Sequence, residues 1–89
     1  MRERVRRAAA ARREGRLTEA ADELRAVLDA PLVTQVARVE AYLELGKTYD
    51  RLRRRRDAQA CYRRILALTD DYTYREQARR LYRLAYRGE

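Results

Sequence analysis

The chain has 89 residues, 46% apolar and 40% charged, with 22 cations against 14 anions and a formal net charge of +8. A chain of this size forms one small domain with a modest core, and one proline with three glycines leaves too little punctuation for an all-β fold. No apolar run approaches a membrane span, and the single cysteine, Cys61, excludes an internal disulfide, so a reducing, cytoplasmic setting is expected.

The opening stretch MRERVRRAAAARR is basic with a short alanine run, and arginines return before any hydrophobic signal core. An amphipathic organelle-targeting segment is the alternative, opposed by Glu3, Glu14 and the helical pattern. The first helix is expected over residues 2–14, ending where Gly15 can adopt a left-handed conformation. Thr18 is the expected cap of the second helix, with Glu19, Asp22 and Glu23 suiting the positive end of its dipole. Ala20, Ala21, Leu24, Val27 and Leu28 follow at helical spacing, and Pro31 closes the element.

Thr34 is the expected cap of the third helix, whose residues Val36, Val39, Tyr42, Leu43, Leu45, Gly46, Tyr49 and Leu52 form a face wide enough for two neighbours. The fourth carries Ala58, Cys61, Tyr62, Ile65 and Leu68 on one stripe. A capping-box pattern, Thr73-Tyr74-Arg75-Glu76, introduces the fifth, which is expected to continue through Ala78, Leu81, Tyr82, Leu84, Ala85 and Tyr86. The prediction is an all-α single domain over residues 1–89, with successive helices antiparallel: a hairpin over 2–29, a hairpin over 35–68 and a C-terminal capping helix over 73–87.

A repeat runs through these helices. Ala8, Ala20, Leu24 and Val27 recur 38 residues later as Gly46, Ala58, Tyr62 and Ile65. Tyr42, Leu45, Gly46 and Tyr49 recur 36 residues later as Ala78, Leu81, Tyr82 and Ala85. Helical hairpins repeating at this length indicate a solenoid. The stretch Tyr42-x-x-Leu45-Gly46-x-x-Tyr49, followed by Ala58, Tyr62 and Ile65, resembles the tetratricopeptide repeat (TPR). Glu14-Gly15-Arg16-Leu17-Thr18-Glu19-Ala20, leading to Leu24, Val27 and Pro31, is similar to the second half of such a repeat. The resemblance covers about two and a half repeats and implies antiparallel hairpins stacked as a short right-handed solenoid. Both intervals exceed the family's usual ~34 residues. Arg53 stands where the family often has a turn glycine, and Tyr82 replaces the small residue in the last unit.

The resemblance also implies a concave groove lined by the first helix of each hairpin. Register then places Arg2, Val5, Arg6, Ala9, Arg12 and Arg13 toward it from the first helix, and Glu40, Leu43, Glu44, Lys47, Asp50 and Arg51 from the third. Glu76, Arg79, Arg80, Arg83 and Arg87 follow from the fifth. The partner-binding residues expected from this set are Arg2, Arg6, Arg13, Leu43, Lys47, Asp50, Arg79, Arg83 and Arg87. The family's carboxylate clamp uses asparagine, and this chain has none, which disfavours terminal-carboxylate recognition.

Charge is segregated: residues 1–16 carry net +5, residues 17–50 net −4 and residues 51–89 net +7. This pattern steers acidic partners. Arg53 to Arg56 have two readings, phosphate contacts or a basic turn suiting the C-terminal dipole of the third helix, and their radiating placement favours the second. Cys61 lies on an apolar stripe, which points to a buried structural thiol. Asp70 and Asp71 before a helix are capping groups rather than metal ligands. Glu40 and Glu44 can pair with Lys47 or Arg51. Neither histidine nor serine is present, so the usual base–nucleophile pairs are missing.

The expected function is therefore a non-enzymatic protein–protein interaction adaptor, without cofactor or metal, holding an acidic or amphipathic segment in an arginine-lined groove. Self-association through Leu81, Leu84 and Tyr86 on the last helix is a further expectation, because that helix has apolar side chains around much of its circumference. The alternative is a basic helical protein that binds nucleic acid, with Tyr72, Tyr74 and Tyr86 exposed for base stacking.

Overall fold

Five helices account for most of the chain: α1 (Arg2–Arg13), α2 (Leu17–Asp29), α3 (Gln35–Arg51), α4 (Arg55–Leu68) and α5 (Tyr72–Arg83). They are seen in a computed structural model that describes residues 1–88, and no strand occurs among those residues. Each helix packs on the next, and α1 also packs on α3. The longest helix, α3, is therefore covered by α1, α2 and α4. With principal extents of 31 × 31 × 19 Å, the molecule is a slab about two helix layers thick. No helix of the described residues is long and apolar enough to cross a membrane.

The turns explain the 38-residue spacing. After α1, the Gly15 N–H donates to Arg12 O and the Arg16 N–H to Ala11 O, both at 2.9 Å, with Gly15 at φ +86°. This is a Schellman closure, which needs one left-handed residue. After α3, Arg53 N–H donates to Asp50 O (3.0 Å) and Arg54 N–H to Tyr49 O (2.8 Å), with Arg53 at φ +61°. An arginine thus takes the left-handed position that glycine fills in the first turn. In both turns the closing residue also begins the next helix, because Arg16 O accepts from Ala20 N–H and Arg54 O from Ala58 N–H, each at 3.0 Å.

That sharing corrects one expected cap. Thr18 lies inside α2, whose N-cap is Arg16. Once Arg16 both closes α1 and opens α2, the three-residue link leaves no room for a cap two positions later. Thr34 does cap α3, its Oγ1 accepting from Ala37 N–H at 3.1 Å. The α5 cap is Asp71 and not Thr73: Asp71 Oδ1 accepts from Thr73 N–H (2.9 Å) and Tyr74 N–H (3.3 Å). A carboxylate is the stronger acceptor at a positive helix end.

The core joins Ala20, Ala21, Leu24 and Val27 of α2 with Ala58, Cys61, Tyr62 and Ile65 of α4, across the broad buried face of α3. All four pairs related by 38 residues, Ala8 and Gly46, Ala20 and Ala58, Leu24 and Tyr62, and Val27 and Ile65, are buried. At the α3–α4 crossing the Tyr62 ring lies flat against Gly46, where a Cβ would stand 2.8 Å from Tyr62 Cζ. Tyr62 is itself fully buried and cannot swing aside.

Two substitutions test these backbone positions. Gly46→Ala should lower stability by about 3 kcal/mol through overpacking against the ring. Arg53→Gly should raise it by about 1 kcal/mol by relieving the left-handed strain. Urea denaturation followed by helical circular dichroism reads both.

Candidate functional site on the first and third helices

The C-terminal segment corrects the largest sequence expectation. Helix α5 ends at Arg83 instead of running to residue 87, and Leu84 is extended at φ −123° and ψ 114°. The last carbonyls of α5 are taken from α4: Arg55 Nη2 donates to Leu81 O (2.7 Å) and Tyr82 O (2.6 Å), and Gln59 Nε2 donates to Tyr82 O (3.1 Å). Freed from the helix, residues 84–88 turn back across α1 and α3.

Tyr86 is the centre of that return. Its backbone N–H donates to Asp50 Oδ2 at 2.9 Å. Its hydroxyl is hydrogen-bonded to Arg12 Nη1. The ring lies 4.9 Å from the Arg12 guanidinium carbon and 5.4 Å from Lys47 Nζ, within cation–π range of both. Beyond it, Gly88 at φ +98° sits beside the Arg51 side chain.

The groups that receive Tyr86 are held by the helices themselves. Arg12 is 1% exposed, and its Nη2 donates to Glu44 Oε1 at 3.0 Å. Lys47 Nζ lies 3.8 Å from Glu44 Oε2. Arg51 Nη1 donates to Arg12 O at 2.9 Å, tying the ends of α1 and α3 together. The Asp50 carboxylate is 1% exposed and accepts from Arg55 Nη1 (3.0 Å to each oxygen) and from the Tyr62 hydroxyl (2.8 Å). At the far end of the same face, Arg2 pairs with Glu40 (2.7 Å), whose other oxygen accepts from the Tyr74 hydroxyl at 3.4 Å.

The expected partner-binding residues therefore do not form one cluster. Lys47 and Asp50 meet at the Tyr86 seat. Arg2 is committed to Glu40, and Leu43 is buried in the core. Arg6, Arg13 and Arg87 are exposed. Arg79 and Arg83 line a depression of about 170 Å³ with Leu66 of α4 and Tyr82, away from the seat. The residue that sequence reasoning left out of the binding set is Arg12. It completes the buried stripe Val5, Ala8, Ala9 at the next helical step, and a cation on such a stripe marks a buried partner.

The self-association set is also divided. Leu84 is 66% exposed, Leu81 is half-buried against the core and Tyr86 is seated on its own chain. Of the tyrosines expected to be exposed, only Tyr72 is. Four other ring faces carry a cation: Arg64 on Tyr42, Arg54 on Tyr49, Arg63 on Tyr82 and the pair on Tyr86. The arginine run is divided between Asp57 and Tyr49 for Arg54, the Asp50–α5 junction for Arg55, and exposed positions for Arg53 and Arg56.

Cys61 is buried, and burial, then the charges of Asp57 and Asp50, pushes its thiol up to about 12. That keeps it protonated and unreactive at neutral pH. Among the described residues no group of three or more His, Cys, Asp or Glu side chains could hold a metal ion. Compared with known proteins, the chain matches no family model, no curated sequence and no solved structure.

Burial, reinforced by the hydrogen bond to Asp50, raises the Tyr62 phenol above its ordinary 10.0, and burial followed by the Glu40 charge raises Tyr74 in the same direction. The folded chain thus holds these protons more tightly than the unfolded one. Their stabilising contribution is complete below pH 10 and is lost as pH climbs above it. The melting temperature should fall steadily above pH 10, and Tyr62→Phe should flatten that fall; thermal scans across an alkaline pH series check this.

Proposed function

We propose that the chain is a non-enzymatic adaptor that seats an extended acidic or amphipathic protein segment on the face shared by α1 and α3, within a short TPR-like stack of two and a half repeats. One observation carries this reading. Residues of the chain's own C-terminal segment, non-helical after Arg83, already lie across that face, with a backbone N–H on Asp50 and a side chain beside Arg12 and Lys47. A surface that holds an extended backbone by one fixed acceptor and an aromatic side chain by two cations has the parts of a peptide site.

The stacked arrangement draws support from contacts between equivalent helices. Arg2 meets Glu40 near the N-terminal ends of α1 and α3, and Arg51 meets Arg12 O near their C-terminal ends, so the two lie side by side. The two turns with the same hydrogen-bond pattern, 38 residues apart, fit a repeated hairpin. The exposed cations of α1, Arg6 and Arg13, would attract acidic segments before docking. Rigid hairpins hold these groups in place, so little side-chain freedom is lost when a segment binds.

The protein-binding reading is favoured over nucleic acid because the arginine run is dispersed and four tyrosine faces are already covered by cations. A fluorescently labelled acidic peptide and a labelled single-stranded oligonucleotide, titrated by anisotropy at low and high salt, separate the two. The peptide should bind, and Lys47→Glu should weaken it at least about ten-fold, the loss of a well-placed charge contact. Preference for the oligonucleotide, with graded losses from Arg53 and Arg56 as well, would replace this reading.

A further inference from the structure

We infer that the C-terminal segment Leu84–Gly88 is an internal competitor for the seat on α1 and α3, and that the seat takes an extended segment presenting a tyrosine-type aromatic ring. The inference rests on the peptide-seat reading above and specifies both its ligand and its regulation.

Three features of the seat argue for it. The segment begins with Leu84 and Ala85, strong helix formers that follow directly on a helix, so local preference would continue α5. Leu84 is nevertheless extended and the Tyr86 N–H goes to Asp50, so contacts with α3 and α4 outweigh local preference. Second, the receiving groups stand without the segment. Glu44 positions Arg12 and Lys47, while Arg55 and Tyr62 position Asp50, and none of these six residues belongs to residues 84–88. Such a site is pre-organised for a ligand and does not need this particular one.

Third, among the described residues the side chain that anchors the segment is that of Tyr86. Leu84 and Ala85 before Tyr86, and Arg87 and Gly88 after it, are exposed. An incoming segment therefore has one ring and one backbone N–H to displace. A structural tail that merely completed the core would bury its leucine; this one leaves Leu84 66% exposed.

The chemistry of recognition follows from the geometry. Asp50 accepts one backbone N–H of the incoming segment. The faces of Arg12 and Lys47 favour an electron-rich ring, and the Arg12 guanidinium selects a ring bearing a hydrogen-bond acceptor at its far end. A tyrosine satisfies all three requirements and a phenylalanine satisfies two. Because the tail is tethered, its local concentration reaches the millimolar range. A segment supplied by another molecule must displace it, and its apparent affinity falls by the fraction of chains whose seat is open.

The test uses the 89-residue chain, its Tyr86→Ala and Tyr86→Phe variants, and a labelled synthetic peptide with the sequence of residues 83–88, Arg-Leu-Ala-Tyr-Arg-Gly. Anisotropy titration should show the peptide binding Tyr86→Ala at least about ten-fold more tightly than the parent chain, with Tyr86→Phe between them. The same peptide with its tyrosine replaced by alanine should not bind. Equal affinity for parent and Tyr86→Ala, with helical circular dichroism unchanged, would overturn the inference. If Tyr86→Ala loses its helical signal, Tyr86→Phe and the alanine peptide decide it: no difference between the chains and no preference for the tyrosine peptide overturn it equally. Titrating the acidic peptide on the same chains separates the two readings. Its binding to both chains alike, with no uptake of the tail peptide, leaves the adaptor reading standing and removes the competitor. Uptake of the tail peptide alone keeps the seat and removes the acidic partner.

Discussion

The buried carboxylate of Asp50 is the interaction on which the rest of the molecule depends. Removing a carboxylate from water costs several kcal/mol unless its oxygens are satisfied, and Asp50 is 1% exposed. Its three donors come from two parts of the chain: Arg55 and Tyr62 on α4, and the Tyr86 backbone after α5. Each donor imposes a condition elsewhere. For the Tyr62 hydroxyl to arrive, its ring must cross α3 where Gly46 leaves room. For Arg55 to arrive, α4 must begin at once after the left-handed turn at Arg53, and the other end of its guanidinium then stops at the α5 carbonyls. One acidic side chain thus couples the core crossing, the second hairpin turn and the path of the C-terminal segment.

The surplus of arginine has a structural account alongside any role in binding. Three helix C-termini receive an arginine from another helix: Arg51 on α1, Arg75 on α4 and Arg55 on α5. Those carbonyls have no partner within their own helix and carry the negative end of the dipole. Other arginines lie over tyrosine rings. A guanidinium serves both tasks better than an ammonium, since it is planar, stacks and donates in a fork. In a small domain with a modest core, these contacts extend the packed region outward. Arg51, Arg55 and Arg75 are half-buried at those helix ends, whereas Arg54, Arg63 and Arg64 stay exposed over their rings.

Much of the architecture could be read from the residues. Gly15 and Arg53 mark equivalent turns, Thr34 caps its helix, and Gly46, Ala58 and Tyr62 form the crossing that their sizes suggest. The misplaced caps at Thr18 and Thr73 were errors of one local rule against another: a tight turn displaced the first, and a stronger acceptor two residues earlier displaced the second. The seat was less legible. Asp50 and Lys47 were in the expected set for their register, but Arg79 and Arg83 face another depression, and Arg12, placed toward the groove by register, was not kept in the binding set. Glu44 met Lys47 as expected, but Glu40 and Glu44 also found Arg2 and Arg12, partners on another helix.

What the sequence by itself determined is the set of five helices and the closing of the two hairpin turns. Helical periodicity, left-handed closures and side-chain caps act over a few residues, so the chain carries them wherever it folds. The tertiary structure alone decided where the last helix stops, which carboxylate is buried and which cations meet. Those outcomes depend on contacts between residues as far apart as Arg12 and Tyr86, 74 positions along the chain. At Leu84 such distant contacts outweighed a helix preference worth only fractions of a kcal/mol per residue.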